Sequence, residues 1–98
     1  MNFDWDEAKR SENIRKHGID SVDLPEVSNG PMLVRLDTQH EYGEDRWVGM
    51  GFLRSLVAVV VYVEWEDNDT IRIISARRAT RNESNNFQRR LADGLGTS

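Results

Sequence analysis

The chain has no cysteine and only two prolines among its 98 residues. Without cysteine, disulfide staples and thiolate metal sites are excluded. Histidine is scarce as well. His17 and His40 alone make a poor ligand set for zinc, and the acids around His40 (Asp37, Glu41, Glu44) follow no metal-binding spacing. No apolar run reaches membrane-spanning length, and the longest near-continuous one, Leu56 to Val63, is the length of a strand. The Met1 to Asp6 segment lacks the basic and apolar regions of a signal peptide, so a cytoplasmic location with no membrane partner is expected. There is no P-loop, glycine-rich dinucleotide turn or nucleophile elbow. Neither a metal nor a cofactor is therefore expected.

What is present fits one domain over residues 1–98, with 93–98 as a frayed tail. Hydrophobic residues make up 38% and charged residues 31%, the balance of a globular domain with a modest core. The net charge of −4 argues against a nucleic-acid partner, but the charge is unevenly placed. Eleven of the thirteen basic residues are arginine, and six of these fall between Arg72 and Arg90 with Glu83 as the one acid. Arginine is the side chain suited to forked contacts with phosphate. A mixed-charge surface with no ligand accounts equally well for composition alone.

Hydrophobic patterning gives the order β-α-α-β-β-β-β-α. Phe3 and Trp5 alternate with polar neighbours as in a short strand. Asp6 caps a helix from about Glu7 to His17, ended by Gly18. A short or bent helical stretch follows from Ser21 to about Val27, because Pro25 sits inside it. Asn29-Gly30-Pro31 is a turn. Strands are expected at Met32–Leu36, Arg46–Leu53, Leu56–Glu66 and Thr70–Ala76, with the third at the centre of the sheet because it has almost no polar breaks. Asp67-Asn68-Asp69 turns the third strand into the fourth. Thr80-Arg81-Asn82-Glu83 is a capping box opening a last helix to about Ala92, which docks lightly through Phe87 and Leu91. The economical architecture is α+β, one antiparallel-rich sheet packed against two N-terminal helices.

Three groups of residues could carry chemistry. Asn13, Lys16 and His17 share an arc of about 100° on the first helix. They read either as a proton-transfer and phosphate-binding edge or as a favourable cation at a helix end. Glu64 shares a strand face with Tyr62. With the hairpin centred on Asn68 it faces Arg72, as a cross-strand ion pair or as a carboxylate that orients Arg72 toward a phosphate. Arg77, Arg78 and Arg81 cluster where the last strand becomes the last helix, forming an anion site or an exposed basic loop. Arg46 and Arg54 flank the second strand and either join this patch or are solvated.

Five stretches, in order, resemble the BrnT toxin family over nearly the whole chain. They are Phe3-Asp4-Trp5-Asp6 with Ala8-Lys9; Asn13 to Gly18; His40 to Glu44 with Arg46; Val60-Val61-Tyr62 with Glu64; and Ile71 to Thr80 with Arg81 and Glu83. The resemblance implies a RelE-like fold and a ribonuclease that blocks translation. It also implies a cognate BrnA-like antitoxin that binds operator DNA, so that the pair represses its own operon. It carries functional weight onto Lys16, His17, Arg46, Glu64, Arg72, Arg77 and Arg81. Metal-free cleavage uses the RNA 2′-OH as nucleophile, with His17 or Glu64 as base, or with His17 as the acid instead. Arg46, Arg72, Arg77 and Lys16 clamp the phosphate, and Arg78 and Arg81 lie beside them. Two other readings remain open: a toxin that acts by binding alone, directed at gyrase, and a degenerate partner that only tunes repression.

Overall fold

The computed structural model describes residues 2–37, 43–64 and 69–96. His40, Glu41, Glu66 and the first two residues of the Asp67-Asn68-Asp69 turn lie outside them. The elements are β1 (Asn2–Trp5), α1 (Glu7–His17), a 3-10 helix (Ser21–Asn29), β2 (Met32–Leu36), β3 (Trp47–Leu53), β4 (Leu56–Glu64), β5 (Thr70–Arg78) and α2 (Arg81–Gly96). The five strands form one sheet in the order β1-β5-β4-β3-β2. The β1–β5 pair is parallel and the other three are antiparallel.

Local chemistry sets the helix ends. The Asp6 carboxylate accepts from the backbone N–H of Ala8 at 2.8 Å and of Lys9 at 3.1 Å, which starts α1. Gly18 ends it at φ 66°, a left-handed conformation that glycine adopts without steric cost, and donates its N–H to the Ile14 carbonyl at 2.9 Å. The 3-10 helix accommodates Pro25 and buries Ser21, Leu24 and Val27. These lie three residues apart, and in a helix with three residues per turn that spacing lines up one face. Asp20 caps it and is also gripped by Arg10, whose Nε and Nη2 donate to the two carboxylate oxygens at 2.7 and 3.1 Å. That pair ties α1 to the start of the 3-10 helix.

The core lies on one face of the sheet. Leu24 and Val27 of the 3-10 helix, with Ile19, pack against Leu53, Ala58, Val60, Ile73 and Ala76. β4 is central and buried on both faces from Val57 to Val60, as its apolar sequence implies. β3 meets the 3-10 helix closely at Gly51, where a Cβ would lie 2.6 Å from Val27 Cγ1. No helix among the described residues is long and apolar enough to cross a membrane.

The two N-terminal helices do not form the expected pair against one face. Only the 3-10 helix covers the core. β1 pairs with Thr70–Ile73 and leaves the rest of β5 without a strand neighbour on that side, and α1 runs along β5 there. This explains the thin apolar side of α1, in which Asn13 is the buried residue and Ile14 is exposed. The third helix docks lightly, as expected, and does so through one deeply placed side chain. Phe87 of α2 is fully buried, with its ring 5.1 Å from Phe52 at 67° between planes. α2 runs to Gly96, past the expected end at Ala92. β5 runs to Arg78, so Arg77 and Arg78 belong to the strand rather than to the strand–helix junction.

Candidate functional site

The face of the sheet opposite the core carries a groove. Along β4, Val57, Val59, Val61 and Val63 alternate with the core residues and point to this second face. Their register partners Val48 and Met50 on β3 and Ser75 and Arg77 on β5 share it. An irregularity beside Val61 and Tyr62 leaves Ile74 without a register partner. That extra residue lets Ile73 point to the core while Ser75 and Arg77 point to the groove. Bulges of this kind recur where a strand must re-aim side chains.

The groove holds a hollow of about 300 Å³ whose floor is Val48, Val59, Val61 and Ser75. One wall is α1, contributing Lys9, Glu12, Asn13, Lys16 and His17. Arg35 and Asp37 close it from the β2 side, and Arg77 lines it from β5. The cations Lys9, Lys16, Arg35 and Arg77 outnumber the carboxylates Glu12 and Asp37. A second hollow of about 440 Å³ shares Arg35, Val48, Val59 and Arg77 and continues to Glu83, Phe87 and Arg90 of α2. On a protein of net charge −4, the charged side chains of this groove, Lys9, Lys16, Arg35, Arg77 and Arg90 against Glu12, Asp37 and Glu83, are positive on balance.

Two ion pairs set the charges in place. Lys16 Nζ lies 2.6 Å from Glu12 Oε1 one turn earlier, and this ammonium holds the Glu12 carboxyl below its usual range. Arg77 grips Glu83 with both terminal nitrogens, at 2.7 and 2.8 Å. Glu83 closes the expected capping box as well. It accepts from the Thr80 N–H at 2.8 Å and donates its own N–H to Thr80 Oγ1 at 3.2 Å. These contacts, the Arg77 hydrogen bonds first, hold the Glu83 carboxyl down at about 2.

Of the residues singled out from sequence, Lys16, His17 and Arg77 come together in this groove. Arg46 stands at its end, where the Arg46 carbonyl accepts from the backbone N–H of the groove residue Asp37 at 2.8 Å. Glu64 and Arg72 do not face each other. The ladder pairs Glu64 with Ile71 and Val63 with Arg72, one residue off the expected register, and a shift of one turns a side chain to the other face. Arg72 instead bonds Asp4 Oδ2 on β1 at 2.6 Å, and Glu64 is exposed. Arg78 donates from Nε to the His17 carbonyl at 3.0 Å, satisfying the end of α1 rather than facing the groove. Arg81 opens α2, exposed. Arg54 lies 3.5 Å from Asp23 near the 3-10 helix.

Sequence reasoning gave no role to Lys9, Arg35 or Ser75, and placed Asn13 on the right arc without assigning it one. A signal existed for the first two. Lys9, Asn13 and Lys16 are spaced as one helix face, and Arg35 and Asp37 alternate with the apolar residues of β2. Among the described residues there is no group of three or more His, Asp or Glu side chains that could hold a metal ion.

A family model described as the ribonuclease toxin BrnT of type II toxin–antitoxin systems matches residues 5–83. No curated protein matches the chain. The matched stretch runs from the end of β1 to the capping glutamate of α2, so it contains the first hollow and its Arg77–Glu83 clasp.

Proposed function

The chain belongs to the BrnT family of ribonuclease toxins of type II toxin–antitoxin systems, and from that premise we propose that the groove between α1 and α2 is where RNA is cut. One observation carries this reading: Lys16 and His17 at the end of α1 and Arg77 on β5 line the same hollow. In the reaction, the 2′-oxygen attacks the adjacent phosphorus, the bond to the 5′-oxygen breaks, and a 2′,3′-cyclic phosphate and a 5′-hydroxyl result. The His17 imidazole, which can accept a proton on a ring nitrogen, takes the proton of the 2′-OH. Lys16, Arg35 and Arg77 face the charge that builds on the phosphorane, the role in which preorganised cations contribute most. The departing 5′-oxygen gains its proton from water beside Lys16. None of these steps uses a metal ion.

Arg46 and Arg81 contact flanking phosphates in this reading. Glu64, Arg72 and Arg78 line neither hollow and have no part in the reaction in this reading. The mostly antiparallel sheet with a helix on either side of the groove supports a RelE-like assignment. The family implies an antitoxin partner. We propose that this partner is BrnA-like, blocks the groove, and links the pair to operator DNA for co-repression in the cytoplasm.

The test is growth arrest on induction. Wild-type chain should arrest growth, and co-expression of the antitoxin should relieve the arrest. His17→Ala should abolish it while still binding the antitoxin. Undiminished arrest by His17→Ala would place the site elsewhere.

A further inference from the structure

One side chain in the groove is buried without the partner that burial demands. Asn13 is 6% exposed, yet its Nδ2 has no hydrogen-bond partner among the described residues. Native interiors rarely leave an amide donor unpaired, because its desolvation is not repaid. Asn13 lines the hollow, so a ligand seated there can supply the missing acceptor once the covered amide turns toward it.

The surroundings describe that ligand. Val48, Val59 and Val61 give the floor an apolar strip, with Ser75 among them. Lys16, Arg35 and Arg77 gather the positive charge around it. An apolar floor, a few polar groups for an edge, and cations close by suit a flat heterocycle joined to a phosphate. A carboxamide carries a donor and an acceptor side by side, and in nucleic-acid recognition it reads base edges. A phosphate alone needs neither the valines nor a neutral amide.

We propose that Asn13 and the valine floor form a pocket for one nucleobase of single-stranded RNA beside the cleaved phosphate, and that Asn13 decides which base is accepted. The identity of the ligand as RNA rests on the ribonuclease reading above, but selective binding can be measured without cleavage.

The experiment titrates the ¹⁵N-labelled full chain with tetranucleotides of A, C, G or U whose 2′-hydroxyls are O-methylated, which blocks the attack. One base should bind about tenfold more tightly than the weakest, the discrimination expected of one well-placed amide. The Asn13 side-chain amide signals should shift with that base. Asn13→Ala and Asn13→Ser should bring the four affinities within about twofold of one another and leave the weakest nearly unchanged. Both variants should melt no lower than wild type, since each removes the unpaired amide. Equal weakening toward all four tetranucleotides would show a phosphate contact or a structural role and overturn the proposal. So would an unchanged ranking. Base selectivity through Asn13 in a chain that leaves ordinary RNA uncut would support the pocket and remove the cleavage reading.

Discussion

Arg77 has two tasks, and the two can be separated by measurement. Its guanidinium lines the groove and also holds Glu83 through a two-pronged contact. The Glu83 carboxyl is lowered from 4.5 to about 2 by that contact. A depressed carboxylate contributes stability that is fully present above its unfolded value and is lost as pH falls through the folded one. The pair is partly solvated, with side-chain exposures of 43% and 32%, so its contribution at neutral pH is about 1–2 kcal/mol after screening. Glu83→Gln should lose that amount at pH 7 and flatten the stability curve between 4.5 and about 2. Thermal melts across that range check it, and an unchanged acid limb would show that the clasp contributes nothing. Lys16 and His17 were legible in the sequence because they stand three and four residues after Asn13, the spacing that puts residues on one side of a helix. The Glu64–Arg72 pairing was misread because it hangs on where a hairpin turns, and one residue decides the face. Arg35 had no assigned role because it lies on the edge strand β2, and only the closed sheet shows that α1 stands across from it.

Among the elements, α2 depends on a single side chain more than its sequence suggests. Phe87 was recognised as its apolar contact, but its complete burial and its edge-on packing with Phe52 follow from the sheet face that α2 covers. Phe87→Ala should cost about 3–5 kcal/mol, the range for removing a buried aromatic ring. Because Phe87 lines the second hollow, the variant should also open that end of the groove. Denaturant unfolding gives the first quantity, and amide hydrogen exchange along α2 gives the second. A loss under about 1 kcal/mol would mean that α2 is held mainly by its capping box. The element types were largely readable from caps and periodicity: Asp6 and Gly18 bracket α1, Pro25 marked a short or bent helical stretch that is a 3-10 helix, and Thr80 with Glu83 opens α2. Which face each helix covers was not readable. α1 is nearly all polar, and a polar helix does not announce that it lies beside a strand edge.

At the scale of the whole molecule, the sheet divides two duties. One face carries the core with the 3-10 helix, and the other carries a groove between α1 and α2 whose charged residues are positive on balance. The chain is acidic overall, with a net charge of −4, so the excess negative charge lies on surfaces away from the groove. The central claim is that this groove cuts RNA by its own side chains. The most direct measurement incubates the purified chain with naked single-stranded RNA in excess chelator and identifies the new ends, with His17→Ala alongside. The account expects cleavage by the wild-type chain to 2′,3′-cyclic phosphate and 5′-hydroxyl ends. In His17→Ala the rate should fall by about 10²-fold or more, the usual contribution of a placed acid or base. Intact RNA under these conditions, or cleavage restored only by added Mg²⁺ or Zn²⁺, would contradict it.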